Sequence, residues 1–435
     1  MKSSPEITVP MQKPDQSYWG IVKRQFRKNR LAVWSLRVVY VIIVIGLLAD
    51  FLANDKPLYC RLHGKTYFPV LKEYAVNMGL SKWPADLTLA DWKHLPYEKV
   101  IWPPVPYSET EMDLYNVQYV GPFDDQRVKS LRWRHWMGTD EIGRDVLAGM
   151  IHGTRIAMLV GVISMFIASV IGIFMGAMAG YFGDERLKIS RIGIILNGIF
   201  LFIAFYYAFA TRSYILADAF GTSMFALMGQ FLLSLLLFTA IMAIPNLLAR
   251  LFRKHKYLGE QVTIPVDIIV SRIIEIVISV PGLLLILSIV AIAKPSIFLV
   301  MVVIGATGWT GIARFLRAEL LRVRSLEYIE AAVALGYSNA RIIFRHAIPN
   351  ALTPVFISIA FGIAGAILVE SSLSFLGIGV QAEVITWGKL LSLARSAPEA
   401  WWLAIFPGFA IFITVTIFNL LGEGLTDALD PRLKS

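Results

Sequence analysis

Long apolar segments alternate with short polar ones along the chain, and this pattern predicts a series of membrane-spanning helices. A bilayer core about 30 Å thick needs roughly 17–25 helical residues. Since unpaired backbone groups are costly in lipid, each span should be a helix. Arg37 lies inside the first segment, but a long side chain near a span end can reach the headgroups. Eight segments qualify or nearly qualify: Leu31–Ala53, Ile156–Ala179, Ile192–Ala210, Met224–Leu248, Ile276–Ala293, Ile297–Ala313, Thr353–Val369 and Trp402–Leu421.

Composition supports a lipid environment for this chain. Apolar residues make up 56% of it and charged residues 17%, which is more apolar surface than a soluble core could hide. The net charge of +10 does not indicate nucleic acid, because the basic residues lie beside the apolar segments. Cys60 is the single cysteine, so the sequence predicts no internal disulfide, and no cysteine–histidine cluster predicts a metal site.

Lys and Arg near the span ends predict the orientation in the membrane. Twenty of them lie in segments that are inside if the N-terminus is cytoplasmic, and four lie in the short outside loops. Both termini are therefore predicted to be cytoplasmic. The first thirty residues are polar and no small-residue cleavage pattern follows the first apolar stretch, so Leu31–Ala53 is predicted to be an uncleaved span.

The segment 314–350 is far more polar than its surroundings, and basic residues recur through it. Leu326–Leu335 favours a helix, and Gly336 permits the positive φ that ends one. Ser338 offers a cap for a second short helix through Arg341–His346. The sequence therefore predicts a helix–turn–helix on the cytoplasmic face.

Pro349 is predicted to open the span that follows this hairpin. Two interpretations of the hairpin are open from the residues alone. It is either a surface loop whose basic residues contact anionic lipid, or a docking site for a partner. Small residues at its exposed centre favour docking, because they let a partner's surface approach closely.

The hairpin also resembles the EAA loop of ABC-importer permeases. The resemblance rests on Glu330-Ala331-Ala332, on Gly336 and on the ending Ala347-Ile348-Pro349-Asn350, where the family more often has Ile-Leu-Pro. In that family the loop inserts a coupling helix into a cytoplasmic ATPase subunit. The resemblance implies that Glu330, Ala331, Ala332, Gly336 and Pro349 form the ATPase-coupling loop of a type I ABC-importer transmembrane fold.

Further motifs are similar to the dipeptide and oligopeptide permease "C" subunits. Two features depart from the usual six spans of that family. Residues 187–262 add an apolar hairpin, and the long loop after the first span is similar to the enlarged loop of the microcin C importer branch. The matching motifs are Trp136–Asp140, Gly143–Asp145, Gly153–Arg155, Gly308–Arg314, Leu373–Gly379, Trp387-Gly388, Phe418–Gly422 and Asp430-Pro431.

This resemblance implies a permease subunit of a bacterial inner-membrane importer for peptides or peptide-like compounds. It implies as partners a second homologous permease, two cytoplasmic ABC ATPase subunits that bind ATP-Mg, and an extracytoplasmic substrate-binding protein. The chain itself is expected to hold no cofactor, since it has no Walker-type phosphate loop. The expected organisation is a cytoplasmic tail 1–30, a first transmembrane helix 31–53, an extracytoplasmic loop region 54–135, a permease domain 136–424 with the inserted hairpin 187–262, and a cytoplasmic tail 425–435.

Two other classes of protein are weighed against this one. A secondary transporter or channel predicts intramembrane acidic residues and related halves, and neither is evident. An intramembrane enzyme predicts a HExxH motif, a carboxylate pair or an activated nucleophile, and none is recognisable. We therefore expect no catalytic residue.

Few polar residues of the spans are candidates for the translocation path or a gate. Glu370 directly follows the apolar stretch Thr353–Val369, so its carboxylate either faces the bundle interior or reaches water as an exposed end residue. Ser374 lies one turn further on. Pro281 interrupts the fifth apolar segment, where either a broken helix lines a cavity or the helix is simply kinked.

Overall fold

The computed structural model describes residues 18–429 apart from positions 85, 89, 223, 253, 254, 256 and 382. The first part of the N-terminal tail and the motif Asp430-Pro431 lie outside the described residues. The described chain forms two compact units. One comprises the residues up to Gly176 together with those from Glu275 onward, and the other is Ala177–Ile274.

Helices dominate both units. In chain order they are α1 Tyr18–Lys28, α2 Arg30–Leu47, α3 Ala49–Leu52, α4 Pro69–Asn77, α5 Val146–Ala177, α6 Arg191–Phe205, α7 Ser213–Thr222, α8 Met224–Leu251, α9 Val266–Ser279, α10 Gly282–Ile292, α11 Ile297–Val323, α12 Glu327–Ala334, α13 Asn339–Ile342, α14 Ile348–Ala351, α15 Thr353–Phe375, α16 Trp387–Ala394 and α17 Trp402–Leu429. Single π-helical turns follow α5, α6 and α13 at Met178–Phe182, Tyr206–Ala210 and Ile343–Ala347. The strands are β1 Tyr59–Leu62, β2 Lys65–Tyr67, β3 Lys99–Ile101, β4 Lys188–Ser190 and β5 Gln261–Thr263.

The predicted number of spans agrees with the helices of the described chain. Seven helical segments are long and apolar enough to cross a membrane, or eight if α9 and α10 together form one broken span. The predicted span Ile276–Ala293 is thus two helices, and the alternative of a simple kink is wrong. Pro281 lies at the break, because proline has no backbone N–H to donate and its ring clashes with the preceding turn.

The loop after the first span folds into a small antiparallel sheet with the strand order β2-β1-β3. Cys60 on the central strand β1 pairs with Tyr67 on one side and Val100 on the other. Its side chain is fully buried against Leu62 and Trp102. The buried aromatic residues of this loop therefore form a hydrophobic core outside the apolar spans.

A buried histidine joins this loop to the start of α5. His135 Nδ1 lies 2.7 Å from Asp145 Oδ2, and Nε2 lies 3.1 Å from Asp113 Oδ2. Burial lowers the pKa of His135, but the hydrogen bonds and charges of the two carboxylates outweigh burial, so the pKa is raised. Burial raises the pKa of Asp113, yet the hydrogen bonds from His135 and Asn116 bring it down to about 2. Asp145 also accepts from the backbone N–H of Ala148 and so caps α5.

Small residues let the long helices of the first unit approach one another closely. A Cβ on Gly46 of α2 would lie 3.2 Å from the Cα of Arg155 on α5, and a Cβ on Gly422 would lie 2.9 Å from the ring of Phe361 on α15. The amphipathic helix α1 packs Val22 and Phe26 against the end of α17.

The second unit contains the predicted inserted hairpin. Its two long apolar helices, α6 and α8, pack together, and β4 pairs with β5 at their base. Arg212 donates hydrogen bonds to Ser234 Oγ at 3.0 Å and to Gln230 Oε1 at 2.6 Å, and so closes the far end of the hairpin.

Candidate functional site

The polar segment between α11 and α15 is a compact helical hairpin, as predicted. α12 ends at Ala334, and Gly336 makes the turn that follows. Its φ of +76° is the left-handed conformation that glycine adopts without strain. Ser338 Oγ then accepts from the backbone N–H of Arg341 at 3.4 Å and caps α13. We call residues 327–351, from α12 to α14, the coupling hairpin.

Pro349 has a different place from the predicted one. It lies in the first turn of the separate short helix α14, where its missing N–H costs nothing. The next span, α15, begins at Thr353, and Pro354 occupies its first turn instead. The prediction that Pro349 opens the span is therefore wrong by one short helix.

The coupling hairpin is a single packed piece. Ile329, Ile342 and Ala347 are buried residues of this segment. The ring of Tyr337 stacks on His346 with 6.3 Å between centroids, and the Asn350 side chain donates to the carbonyl oxygen of His346 at 2.7 Å. Such internal packing is what a segment needs in order to transmit force as a rigid body.

The outer surface of the coupling hairpin exposes large apolar side chains as well as charged ones. Val333, Leu335 and Phe344 expose 51%, 72% and 73% of their areas. Among the residues named by the resemblance, Glu330, Ala331, Gly336 and Pro349 are exposed, whereas Ala332 is buried. Large apolar side chains that are exposed on a polar segment indicate a protein contact.

A cavity of about 660 Å³ lies beside the hairpin end of the membrane helices. Its lining on α11 extends from Ile304 to Phe315, and on α15 from Pro354 to Val369. The start of α10 forms another wall. Three hydroxyl residues, Thr307, Ser358 and Thr426, are its polar groups among otherwise apolar side chains.

The predicted path residues differ in how they relate to this cavity. Pro281 caps α10, and its neighbour Gly282 lines the cavity. Glu370 and Ser374 do not line it, although Val369 does. Their predicted gate role is therefore separate from this cavity.

Glu370 is buried, and the alternative of an exposed end residue is wrong. The apolar stretch ends at Val369, but α15 continues to Phe375 and keeps the carboxyl group inside the bundle with 1% of its area exposed. Ser374 Oγ donates to Glu370 Oε1 at 2.6 Å, and Ser371 Oγ donates to Oε2 at 3.3 Å. These hydroxyls compensate for the loss of water.

Apart from the helix break at Pro281, the cavity lining was not predicted from the sequence. The available signal was the motif Gly308–Arg314, in which Gly308 and Gly311 are three residues apart and thus on one face of α11. On α15 the glycines Gly362 and Gly365 repeat that spacing.

The chain is similar to known transport permeases. Residues 261–435 match the family described as binding-protein-dependent transport system inner membrane component, and residues 17–64 match the N-terminal TM domain of oligopeptide transport permease C. The inner membrane ABC transporter permease protein YejE of Escherichia coli (strain K12) is 27% identical over 423 residues, covering 96% of this chain and 97% of that protein. The dipeptide transport system permease protein DppC of Alkalihalophilus pseudofirmus is 29% identical over 326 residues, covering 74% of this chain and 80% of that protein. Among solved structures, a chain of the inward facing MetNI methionine ABC transporter is 17% identical with a TM-score of 0.32, covering 38% of this chain and 76% of that chain.

A multi-pass helical protein with these matches is an inner-membrane transport permease. Residues 261–435 match the family of binding-protein-dependent transport system inner membrane components, and the chain is a permease subunit of an ATP-binding-cassette importer. This class is one of transport proteins and not of enzymes, and its members act with other transporter components in the membrane. The predicted family, fold class and location are confirmed, and the near-complete match to YejE extends over the enlarged loop. The orientation of the termini stays a prediction.

Proposed function

We propose that the chain is the permease subunit of a peptide importer and that the coupling hairpin connects it to cytoplasmic ATPases. The exposure of the large apolar side chains of Val333, Leu335 and Phe344 on the hairpin is the observation that carries the proposal. Peptides or peptide-like compounds are the substrates that the names of its relatives suggest, since DppC is a dipeptide permease.

The complete transporter is proposed to contain three further chains and a binding protein that delivers the substrate. A second homologous permease forms the translocation path with this one. Two cytoplasmic ABC ATPase subunits bind ATP-Mg, because this sequence lacks a phosphate loop of its own. An extracytoplasmic substrate-binding protein docks on the opposite side of the membrane. In this proposal the chain catalyses no reaction itself.

Within that assembly, each part of the hairpin has a proposed task. Glu330 and Ala331 lie on the exposed side of α12 and face the ATPase, and Ala332 packs inward. Gly336 makes the turn between the two helices, and Pro349 starts the short helix that leads into α15. Closure of the ATPase dimer on ATP then moves the hairpin as one body and tilts α11 and α15.

Glu370, Ser374 and Pro281 are proposed to act at the path or its outer gate. Glu370 places a buried carboxyl group near the end of α15, and Pro281 breaks the helix next to the cavity. A helix that can bend at a fixed break suits a gate.

Transport by the reconstituted complex tests the proposal. Proteoliposomes would contain the chain with its second permease and ATPases, with the binding protein added outside, and the uptake of labelled di- and tripeptides would be measured. We expect ATP-dependent uptake that Leu335→Glu abolishes together with ATPase co-purification. Leu80→Glu, at a leucine of the 54–135 loop with 77% exposure, should be without effect.

Two results would contradict the proposal. One is peptide uptake by the chain in vesicles that contain no ATPase. The other is a Leu335→Glu variant that retains the ATPase subunits and wild-type transport.

A further inference from the structure

Glycines on the membrane helices of the first unit have two different environments. Gly161, Gly172 and Gly305 lie at helix contacts, because a Cβ at each of these positions would approach a neighbouring side chain to 2.7 Å. Gly282, Gly311 and Gly365 are different. A Cβ on any of these three would have nothing within 4 Å.

Close packing explains the first group and leaves the second unexplained. A glycine in a helix costs roughly 0.5–1 kcal/mol relative to alanine, so an open position gains stability from a side chain. Gly311 lies within α11, Gly365 lies within α15, and Gly282 begins α10. All three line the same cavity of about 660 Å³. Their shared property is that the missing side chains keep this space open.

The rest of the lining has no strong preference for charge. Within the described part of the chain, the cavity is lined by apolar residues, glycines and the hydroxyls of Thr307, Ser358 and Thr426, with no ionisable side chain. Phe315 and Phe361 project there and expose 56% and 43% of their areas. A wall of this kind distinguishes ligands by size and shape more than by charge.

We propose that Gly282, Gly311 and Gly365 are specificity-determining positions that set the largest side chain the cavity admits from a transported peptide. The inference rests on the proposed function of peptide import. It assigns to the permease a size limit for side chains, which a leucine at any of the three positions would lower.

Uptake by the complete reconstituted importer tests this limit. The substrates are tripeptides that share both terminal residues and carry Ala, Leu, Phe or Trp in the middle. The variants are Gly311→Ala, Gly311→Leu and Gly365→Leu. We expect Gly311→Leu and Gly365→Leu to reduce uptake of the Phe and Trp peptides about tenfold or more relative to the Ala peptide, with Gly311→Ala intermediate.

Gly408 provides a matched control on α17. It is a helical glycine, partly exposed like Gly311, with nothing within 4 Å of a Cβ, and it does not line the cavity. Gly408→Leu should transport all four peptides as the wild type does. Co-purification of the second permease and the ATPases is measured for every variant, so that lost assembly is recognised.

Three results would overturn the inference. Unchanged uptake by Gly311→Leu shows that the position does not limit substrate size. Equal loss of all four peptides shows a general defect. Loss of the second permease from the complex shows that a protein helix, and not substrate, fills the cavity. A wild-type complex that imports no peptide at all would instead contradict the proposed function.

Discussion

The conformation of Gly336 predicts how strongly different substitutions at this position destabilise the coupling hairpin. Its φ of +76° lies in the left-handed region, and a Cβ there would have nothing within 4 Å, so the cost of a side chain comes from the backbone alone. For an ordinary L-residue that cost is about 1–2 kcal/mol. Asparagine tolerates this conformation better than alanine does, and a β-branched residue tolerates it least. We therefore expect the destabilisation to rise from Gly336→Asn to Gly336→Ala to Gly336→Val.

We expect the loss of ATP-driven peptide uptake to rise in the same order of variants. A loss of about 1 kcal/mol reduces the population of the correctly formed turn about fivefold, and the loss for valine should be larger. The assay is ATP-driven peptide uptake by the reconstituted complex, together with peptide-stimulated ATP hydrolysis. If side-chain volume against the ATPase mattered instead, alanine would be tolerated better than asparagine. Higher activity of Gly336→Ala than of Gly336→Asn would therefore refute the backbone argument.

Three further predictions concern the membrane helices and the outer loop. Gly388→Ala should lower the free energy of unfolding of the purified protein by about 1–3 kcal/mol, because a Cβ there collides with the backbone of α15. Gly408→Ala, where a Cβ meets nothing, should raise it slightly. Equal melting temperatures of the two variants would contradict this prediction. Glu370→Ala should destabilise the folded protein by about 1–3 kcal/mol for each hydroxyl left unpaired. Glu370→Gln should largely restore the stability, which melting temperatures measure. A stable Gln variant without transport would show that the carboxyl group itself serves the gate. The raised pKa of His135 means that its protonation stabilises the folded protein below about pH 6.5, and this stabilisation is lost as pH rises through the folded-state pKa. The melting temperature of the wild type should therefore decline as pH rises through that range, and His135→Gln should remove the decline. The same dependence of melting temperature on pH in both proteins would refute the assignment.

The spans and the coupling hairpin were predictable because their signals are local. A helix across lipid satisfies its own backbone, so an apolar run of sufficient length is enough to identify it. Gly336 and Ser338 mark a helix end and a helix start within three residues, and the structure has both where they were predicted. The family resemblance rests on motifs that are likewise short and contiguous.

The tertiary structure decided the features that depend on distant partners. The strand around Cys60 is four residues long and gains its stability from pairing with β2 and β3, so no periodic pattern reveals it. Glu370 follows the end of an apolar run, yet the packed bundle buries it, and the hydroxyls of Ser371 and Ser374 donate to its oxygens. The cavity has walls from α10, α11 and α15, and only their packing brings Gly282, Gly311 and Gly365 around one space. Local sequence determines which segments are helical, whereas the shape and lining of the cavity depend on how those helices pack.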